Sequence, residues 1–74
     1  VTPLETGTLA HAALEEFFHR PPVTAAGEIV TTLADVFQGL RGRPEFRAFE
    51  VDRASSYRWD STRRSLERFL RVEA

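Results

Sequence analysis

Apolar side chains recur every three or four residues in three separate segments, and this spacing constrains the fold more than any other feature. The stripe of the first segment consists of Ala10, Ala13, Leu14, Phe17 and Phe18. This spacing predicts an amphipathic helix with one buried face. We expect the helix to begin near Thr8, or slightly earlier with Thr6 as its N-cap, and to end before Pro21 and Pro22.

The second and third segments show the same period. The second helix is expected to begin after the prolines, with Thr24 as its N-cap, and to stop near Gly39 and Gly42. Its apolar stripe consists of Ala26, Ile29, Val30, Leu33, Phe37 and Leu40. The last helix is expected from about residues 57–60 to the end of the sequence. Its buried face consists of Trp59, Thr62, Leu66, Phe69 and Leu70.

Between these helices lies a shorter segment. Pro44 suits the first position of a short helix, and Phe46 and Phe49 lie three residues apart, so both can point inward. A short strand at Ala48–Val51 is the alternative, and residues 54–56 are expected to form a loop or a helix cap. The whole pattern predicts an all-α fold, a small bundle of three main helices plus a short fourth.

Composition agrees with a small globular unit. Apolar residues make up 42% of the 74 residues and charged residues 28%, which is too apolar for disorder. Cysteine is absent, which excludes disulfides, zinc–thiolate sites and iron–sulfur ligands from this segment. Methionine is absent too and the sequence starts at Val1, so we expect residues 1–74 to be a single helical fragment of a larger domain. No apolar run is long enough to cross a bilayer, so the cytoplasm is the expected location.

Charge is distributed unevenly along the chain, although the net charge is only −1. Residues 1–40 carry one arginine and five acids, a balance of −4, whereas residues 41–74 carry nine arginines and six acids, a balance of +3. This asymmetry points to an anionic partner for the C-terminal half.

His11 is the first candidate for chemistry. Glu15 and His19 follow it at helical spacing, and a divalent metal ion can use such groups. These three residues do not match a known ligand spacing, however, and structural zinc sites have four protein ligands. The alternative is a boundary residue that hydrogen-bonds to solvent or backbone.

The segment from Leu4 to Phe18, LETGTLAHAALEEFF, resembles the start of RecB-like nuclease domains of the PD-(D/E)xK superfamily. That family pattern, G-T-L-x-H-x-x-L-E, is matched by Gly7, Thr8, Leu9, His11, Leu14 and Glu15. The tail WDSTRRSLERFLRVE is similar to the arginine- and leucine-bearing helix that often precedes the catalytic strands. Such domains, including those of AddB and AdnAB type, are often fused to UvrD/Rep-like DNA-repair helicases.

The resemblance implies a metal-dependent DNA exonuclease as the parent protein. His11 would join carboxylates of the catalytic sheet around Mg²⁺ or Mn²⁺, which would activate water and neutralise charge on the scissile phosphate. Gly7 would let a strand or DNA backbone approach the helix, or serve as a plain turn glycine.

The sequence also departs from the family pattern. It contains no lysine, so the catalytic Asp and (Asp/Glu)-x-Lys cannot be completed here, and the iron–sulfur cysteines of some branches are missing. Glu50 and Asp52 are interpreted as surface acids. The implied role is therefore the helical lead-in of a nuclease domain, with no catalysis by the fragment alone.

Arg64, Arg68 and Arg71 are candidates for phosphate contacts in such a parent protein. The alternative is an ordinary solvated helix with the ion pairs Asp60–Arg64, Arg63–Glu67 and Glu67–Arg71. Tyr57 and Trp59 are able to stack on bases, although Trp59 shares the apolar face and fits a core better.

Two other functions remain open from the sequence. One is a helical protein-interaction module whose exposed apolar face docks on a partner or on a second copy. The other is a self-contained DNA-binding bundle, against which the net charge argues.

Overall fold

The computed structural model describes the backbone of residues 2–73 and the side chains of residues 2–71. Three α-helices form the fold: α1 (Pro3–His19), α2 (Ala26–Leu40) and α3 (Arg53–Glu73). A 3₁₀ helix, Pro44–Glu50, connects α2 to α3. No strand occurs in the described part of the chain. The predicted all-α bundle of three main helices plus a short fourth is thus confirmed, and the strand alternative at Ala48–Val51 is wrong.

Helix α1 begins earlier than the sequence pattern indicated. Thr2 is its N-cap, and its hydroxyl accepts a hydrogen bond from the backbone N–H of Glu5 at 3.2 Å. The Glu5 carboxylate in turn accepts from the backbone N–H of Thr2 at 2.9 Å, which completes a capping box. A start at Thr8 or a cap at Thr6 is therefore wrong, whereas the end at His19, just before the prolines, is as expected.

The predicted cap of α2 is also wrong. Ala25 occupies the N-cap position and offers no side-chain hydrogen bond, so Thr24 does not cap the helix. Helix α2 ends at Leu40, between the two glycines that were expected to stop it. No described residue outside glycine has a positive φ, and neither has any glycine, so no left-handed cap ends the helix.

The core lies between the three helices. All three pairs of helices pack against each other, and the 3₁₀ helix packs against α3. All four helical elements contribute buried apolar side chains to the core: Leu9, Ala13, Phe17, Ile29, Leu33, Val36, Phe37, Leu40, Phe46, Phe49, Trp59, Leu66 and Leu70. Four residues of the predicted buried stripes are exposed instead: Phe18, Ala26, Val30 and Phe69.

Trp59 is the centre of an aromatic cluster near the C-terminal end of α2. Its ring centroid lies 5.4 Å from that of Phe37, 5.5 Å from Phe49 and 6.1 Å from Phe46, in edge-on arrangements. The Arg41 guanidinium covers the indole at 5.3 Å from the ring centroid. Only 4% of Trp59 is exposed, so it belongs to the core and is not free to stack on a base.

Helix α3 starts before the segment that was expected to be a loop or cap. The carboxylate of Asp52 accepts a hydrogen bond from the backbone N–H of Ser55 at 2.8 Å. Residues 54–56 therefore belong to the first turn of the helix. Asp52 is exposed, as expected of a surface acid, but it has this local structural role.

The cap makes stability depend on pH. The hydrogen bond from the Ser55 backbone N–H, followed by one from the Ser55 side chain, lowers the pKa of Asp52 below its ordinary value of 3.8. Because the folded pKa is depressed, this stabilisation is complete above pH 3.8 and disappears as the pH falls through the folded pKa. We expect Asp52→Ala to be less stable than the wild type near neutral pH, and the difference to shrink in acid.

Urea denaturation at a series of pH values measures this effect. Asp52→Asn keeps a capping oxygen without the charge, so its stability should lack this pH dependence. Asp60→Ala, which removes another exposed acid of α3, is the control. It should lose stability with falling pH in the same way as the wild type. An Asp52→Ala profile parallel to that of the wild type throughout would contradict the assigned cap.

No helix in the described part of the chain is both long enough and apolar enough to span a membrane.

Candidate functional site

His11 lies in the middle of α1, on the side that faces away from α2 and α3. Its side chain is 84% exposed. Its Nε2 lies 3.8 Å from Oε2 of Glu15, which is 60% exposed, so the two are close but do not form a hydrogen bond. His11 is therefore accessible to a ligand from outside the bundle.

His11 lies in an open groove on the protein surface. A shallow groove of about 480 Å³ runs along the outer face of α1, past Leu4, Gly7, His11 and Glu15, and is bordered by Arg43. We call it the His11 groove. A Cβ atom added to Gly7 would meet nothing within 4 Å, so the bundle itself does not require glycine there.

Arg43 is a site residue that the sequence analysis missed. Its guanidinium donates a hydrogen bond to Oε1 of Glu16 at 3.0 Å, and both side chains are roughly half-buried. This ion pair joins the segment after α2 to the flank of α1 and places a cation beside the His11 groove. No local signal reveals it, because the two residues are 27 positions apart in the sequence.

The residues around His11 do not form a metal site by themselves. His19, the third member of the ladder considered from the sequence, is exposed near the end of α1. Among the described residues, no group of three or more His, Cys, Asp or Glu side chains is arranged to hold a metal ion. A metal at His11 would consequently need ligands from other residues.

The second candidate surface is the outer face of α3. Arg53, Arg64, Arg68 and Arg71 are all exposed and recur at helical spacing, with about 27 Å between the first and last along the helix axis. We call these four residues the arginine stripe. Tyr57 lies on the same face, 63% exposed, and the Arg64 guanidinium lies 6.0 Å from its ring centroid.

The arginine stripe lacks most of the ion pairs expected for a plain solvated helix. Arg63 and Glu67 do pair, at 3.1 Å. Arg64 instead donates from Nε to the backbone carbonyl of Asp60, at 3.4 Å. No arginine of the stripe lies within 4.0 Å of a carboxylate of the described residues. The expected pairs Asp60–Arg64 and Glu67–Arg71 are thus not formed, which leaves the four guanidinium groups without a carboxylate partner among the described residues.

Comparison of the chain with protein-family models, with curated proteins and with solved structures finds no match. The two exposed surfaces, the His11 groove and the arginine stripe, are the structural features from which a function can be proposed.

Proposed function

We propose that this bundle is the helical lead-in of a RecB-like, metal-dependent DNA exonuclease domain in a cytoplasmic DNA-repair helicase–nuclease. The observation that carries the proposal is the 84% exposure of His11 in the middle of an outer helix face. In the proposed role, His11 is one ligand of Mg²⁺ or Mn²⁺, and carboxylates of a catalytic sheet supply the others.

The outer face of α1 is open to the approach of another layer. The small residues Gly7 and Thr8 are exposed near His11, and Leu4 is 80% exposed at the N-terminal end of the same helix. Only the inner face of α1 is buried in this bundle, so a sheet could pack over the outer face.

The bundle leaves large apolar side chains of α1 in water, with Leu4 80% exposed and Phe18 66% exposed. Docking of a further layer on α1 would bury such side chains.

The arginine stripe supports DNA as the substrate of the parent protein. Its guanidinium groups are free of carboxylate partners within the described residues, and phosphate oxygens would provide them with bidentate acceptors. Arg64, Arg68 and Arg71 would contact the phosphate backbone in this role, joined by Arg53. By itself the fragment is expected not to cleave DNA, since lysine is absent from it.

Sequencing the encoding gene beyond Ala74 is the first experiment. We expect an Asp and an (Asp/Glu)-x-Lys on predicted strands within the next domain length. In the protein that carries them, His11→Ala should lower Mn²⁺-dependent DNA cleavage at least about a hundredfold, since even residues that only support a metal ligand cost 10–100-fold. Cleavage of labelled linear DNA at a range of Mn²⁺ concentrations measures the loss.

His19→Ala is the matched control, because it removes another exposed histidine of the same helix. It should retain cleavage, and neither variant should change the melting temperature of the 74-residue chain. A gene that lacks the catalytic residues, or equal losses for the two variants, would refute the proposed role of His11.

A further inference from the structure

The carboxylate of Glu15 lies beside His11 and has no other partner among the described residues. Glu15 follows His11 by one helical turn and precedes His19 by one turn, so it is able to approach either imidazole. Its Oε2 lies 3.8 Å from Nε2 of His11, whereas no ion pair with His19 is formed. No hydrogen bond within the described part of the chain uses the Glu15 carboxylate. An exposed imidazole and an unshared carboxylate thus lie next to each other.

The spacing of these two groups suits a shared metal ion. An octahedral ion with ligands at about 2.1 Å holds neighbouring ligand atoms about 3.0 Å apart. Oε2 of Glu15 and Nε2 of His11 are 3.8 Å apart, and the side chains are 60% and 84% exposed, so rotations in solvent are free to close the remaining gap. At this distance the two groups share no hydrogen bond that an incoming ion would have to break.

The charge of the His11 groove favours a cation over an anion. Two acids, Glu15 and Glu16, and one arginine, Arg43, line the groove, a balance of −1 with His11 neutral. The Arg43 guanidinium donates a hydrogen bond to Glu16 at 3.0 Å, so these two charges offset each other. Glu15 therefore supplies the excess negative charge, and it does so next to the imidazole.

The space beside His11 is open to further ligands. Gly7 precedes His11 by one turn, and a Cβ atom added there would meet nothing within 4 Å. Thr8, on the same turn, is exposed. An ion with about six ligands would take two of them from α1 and the others from carboxylates of further residues and from water.

We propose that Glu15 is a second metal ligand supplied by α1, so that His11 and Glu15 together bind one Mn²⁺ ion. This inference rests on the proposed function, in which His11 is the ligand from this chain, and adds Glu15 to it. A nitrogen and an oxygen ligand on one helix suit Mn²⁺ better than Mg²⁺, because magnesium takes mainly oxygen ligands. Glu16 does not share this role, since its carboxylate is engaged by Arg43.

Titration of the 74-residue chain with manganese(II) chloride, followed by NMR, tests the pair without any catalytic activity. The experiment is run at about pH 8, since a metal-binding histidine has to be neutral. Paramagnetic Mn²⁺ broadens the resonances of groups close to it, so the His11 ring should lose intensity at lower Mn²⁺ concentrations than the His19 ring. We expect Glu15→Gln to raise the concentration that half-broadens the His11 ring about tenfold or more, since even groups that only support a ligand contribute that much.

Glu16→Gln is the matched control, because it removes the same charge from the same groove and leaves the His11–Glu15 pair in place. It should weaken binding only about twofold, which is the effect of a more distant charge at physiological salt. Urea denaturation should show that both variants remain folded.

Equal losses in Glu15→Gln and Glu16→Gln, or equal broadening of the His11 and His19 rings, would overturn the assignment of Glu15. Neither result would decide whether the encoding gene carries the catalytic residues, which is the test of the proposed function. A selective loss in Glu15→Gln would support the metal-binding pair even if the gene lacked those residues, so the two proposals fail separately.

Discussion

Replacing Trp59 with alanine is expected to remove about 3–5 kcal/mol of folding stability, because it empties the centre of the aromatic cluster. A chain of 74 residues typically has only about 4–11 kcal/mol in total. The loss is therefore a large share of the total, so the variant should unfold at a much lower urea concentration than the wild type. Circular dichroism at the helical band measures this without depending on tryptophan fluorescence.

Tyr57→Ala is the control for this substitution. Tyr57 is two residues away on the same helix but is 63% exposed. The Arg64 guanidinium lies over its ring, 6.0 Å from the centroid. Its replacement should cost less than about 0.5 kcal/mol. A urea midpoint of Trp59→Ala close to that of the wild type would mean that Trp59 does not pack against the three phenylalanine rings as described.

Leu9→Ala is expected to have the second-largest effect, about 2–5 kcal/mol. Leu9 is fully buried on the inner face of α1, so truncation leaves a cavity between the helices. The same substitution at Leu4, which is 80% exposed on the outer face of that helix, should change stability by less than about 0.5 kcal/mol. Urea denaturation of the two variants side by side gives the comparison.

The difference between the two leucines also tests which face of α1 is inside. Equal losses for Leu9→Ala and Leu4→Ala would show that the outer face of α1 is covered in solution. In that case sedimentation should show self-association of the chain through the outer face of α1, which would cover the His11 groove.

The pattern of apolar residues predicted where the helices are, but it predicted less accurately which residues of each helix are buried. On α1 it assigned Phe18 to the buried stripe and overlooked Leu9, whereas the structure buries Leu9 completely and leaves Phe18 66% exposed. Both residues lie near the boundary of an apolar arc on a helix with few charges. Periodicity alone cannot decide between such neighbours, because the choice depends on which side the other helices approach.

Helix starts were predicted poorly for a related reason. Thr6, Thr8 and Thr24 are all reasonable caps by residue type, but the chain uses Thr2 for α1 and no side chain for α2. The reciprocal bonds between Thr2 and Glu5 favour an earlier start, and they extend α1 past Gly7. His11 therefore lies in the middle of a regular helix rather than near its beginning.

The candidate site divides in the same way. The sequence was sufficient to single out His11 and the three arginines Arg64, Arg68 and Arg71, because the residue types and their spacing are visible in it, whereas Arg53 was not singled out. The structure added that His11 is exposed, that Arg43 lies beside it through its pair with Glu16, and that the arginine stripe has no carboxylate partner in the described part of the chain. None of these three facts follows from local spacing, since each depends on what lies across space from the residue.

The sequence by itself determined the all-α class, the number of helices and their approximate extents, because helical periodicity and proline positions act over only a few residues. Tertiary structure decided the rotation of each helix about its axis, and with it the burial of Leu9 and Trp59 and the exposure of His11, Phe18 and Phe69. The physical reason is that burial is shared among elements distant in the chain. A side chain becomes part of the core only where another helix removes it from water.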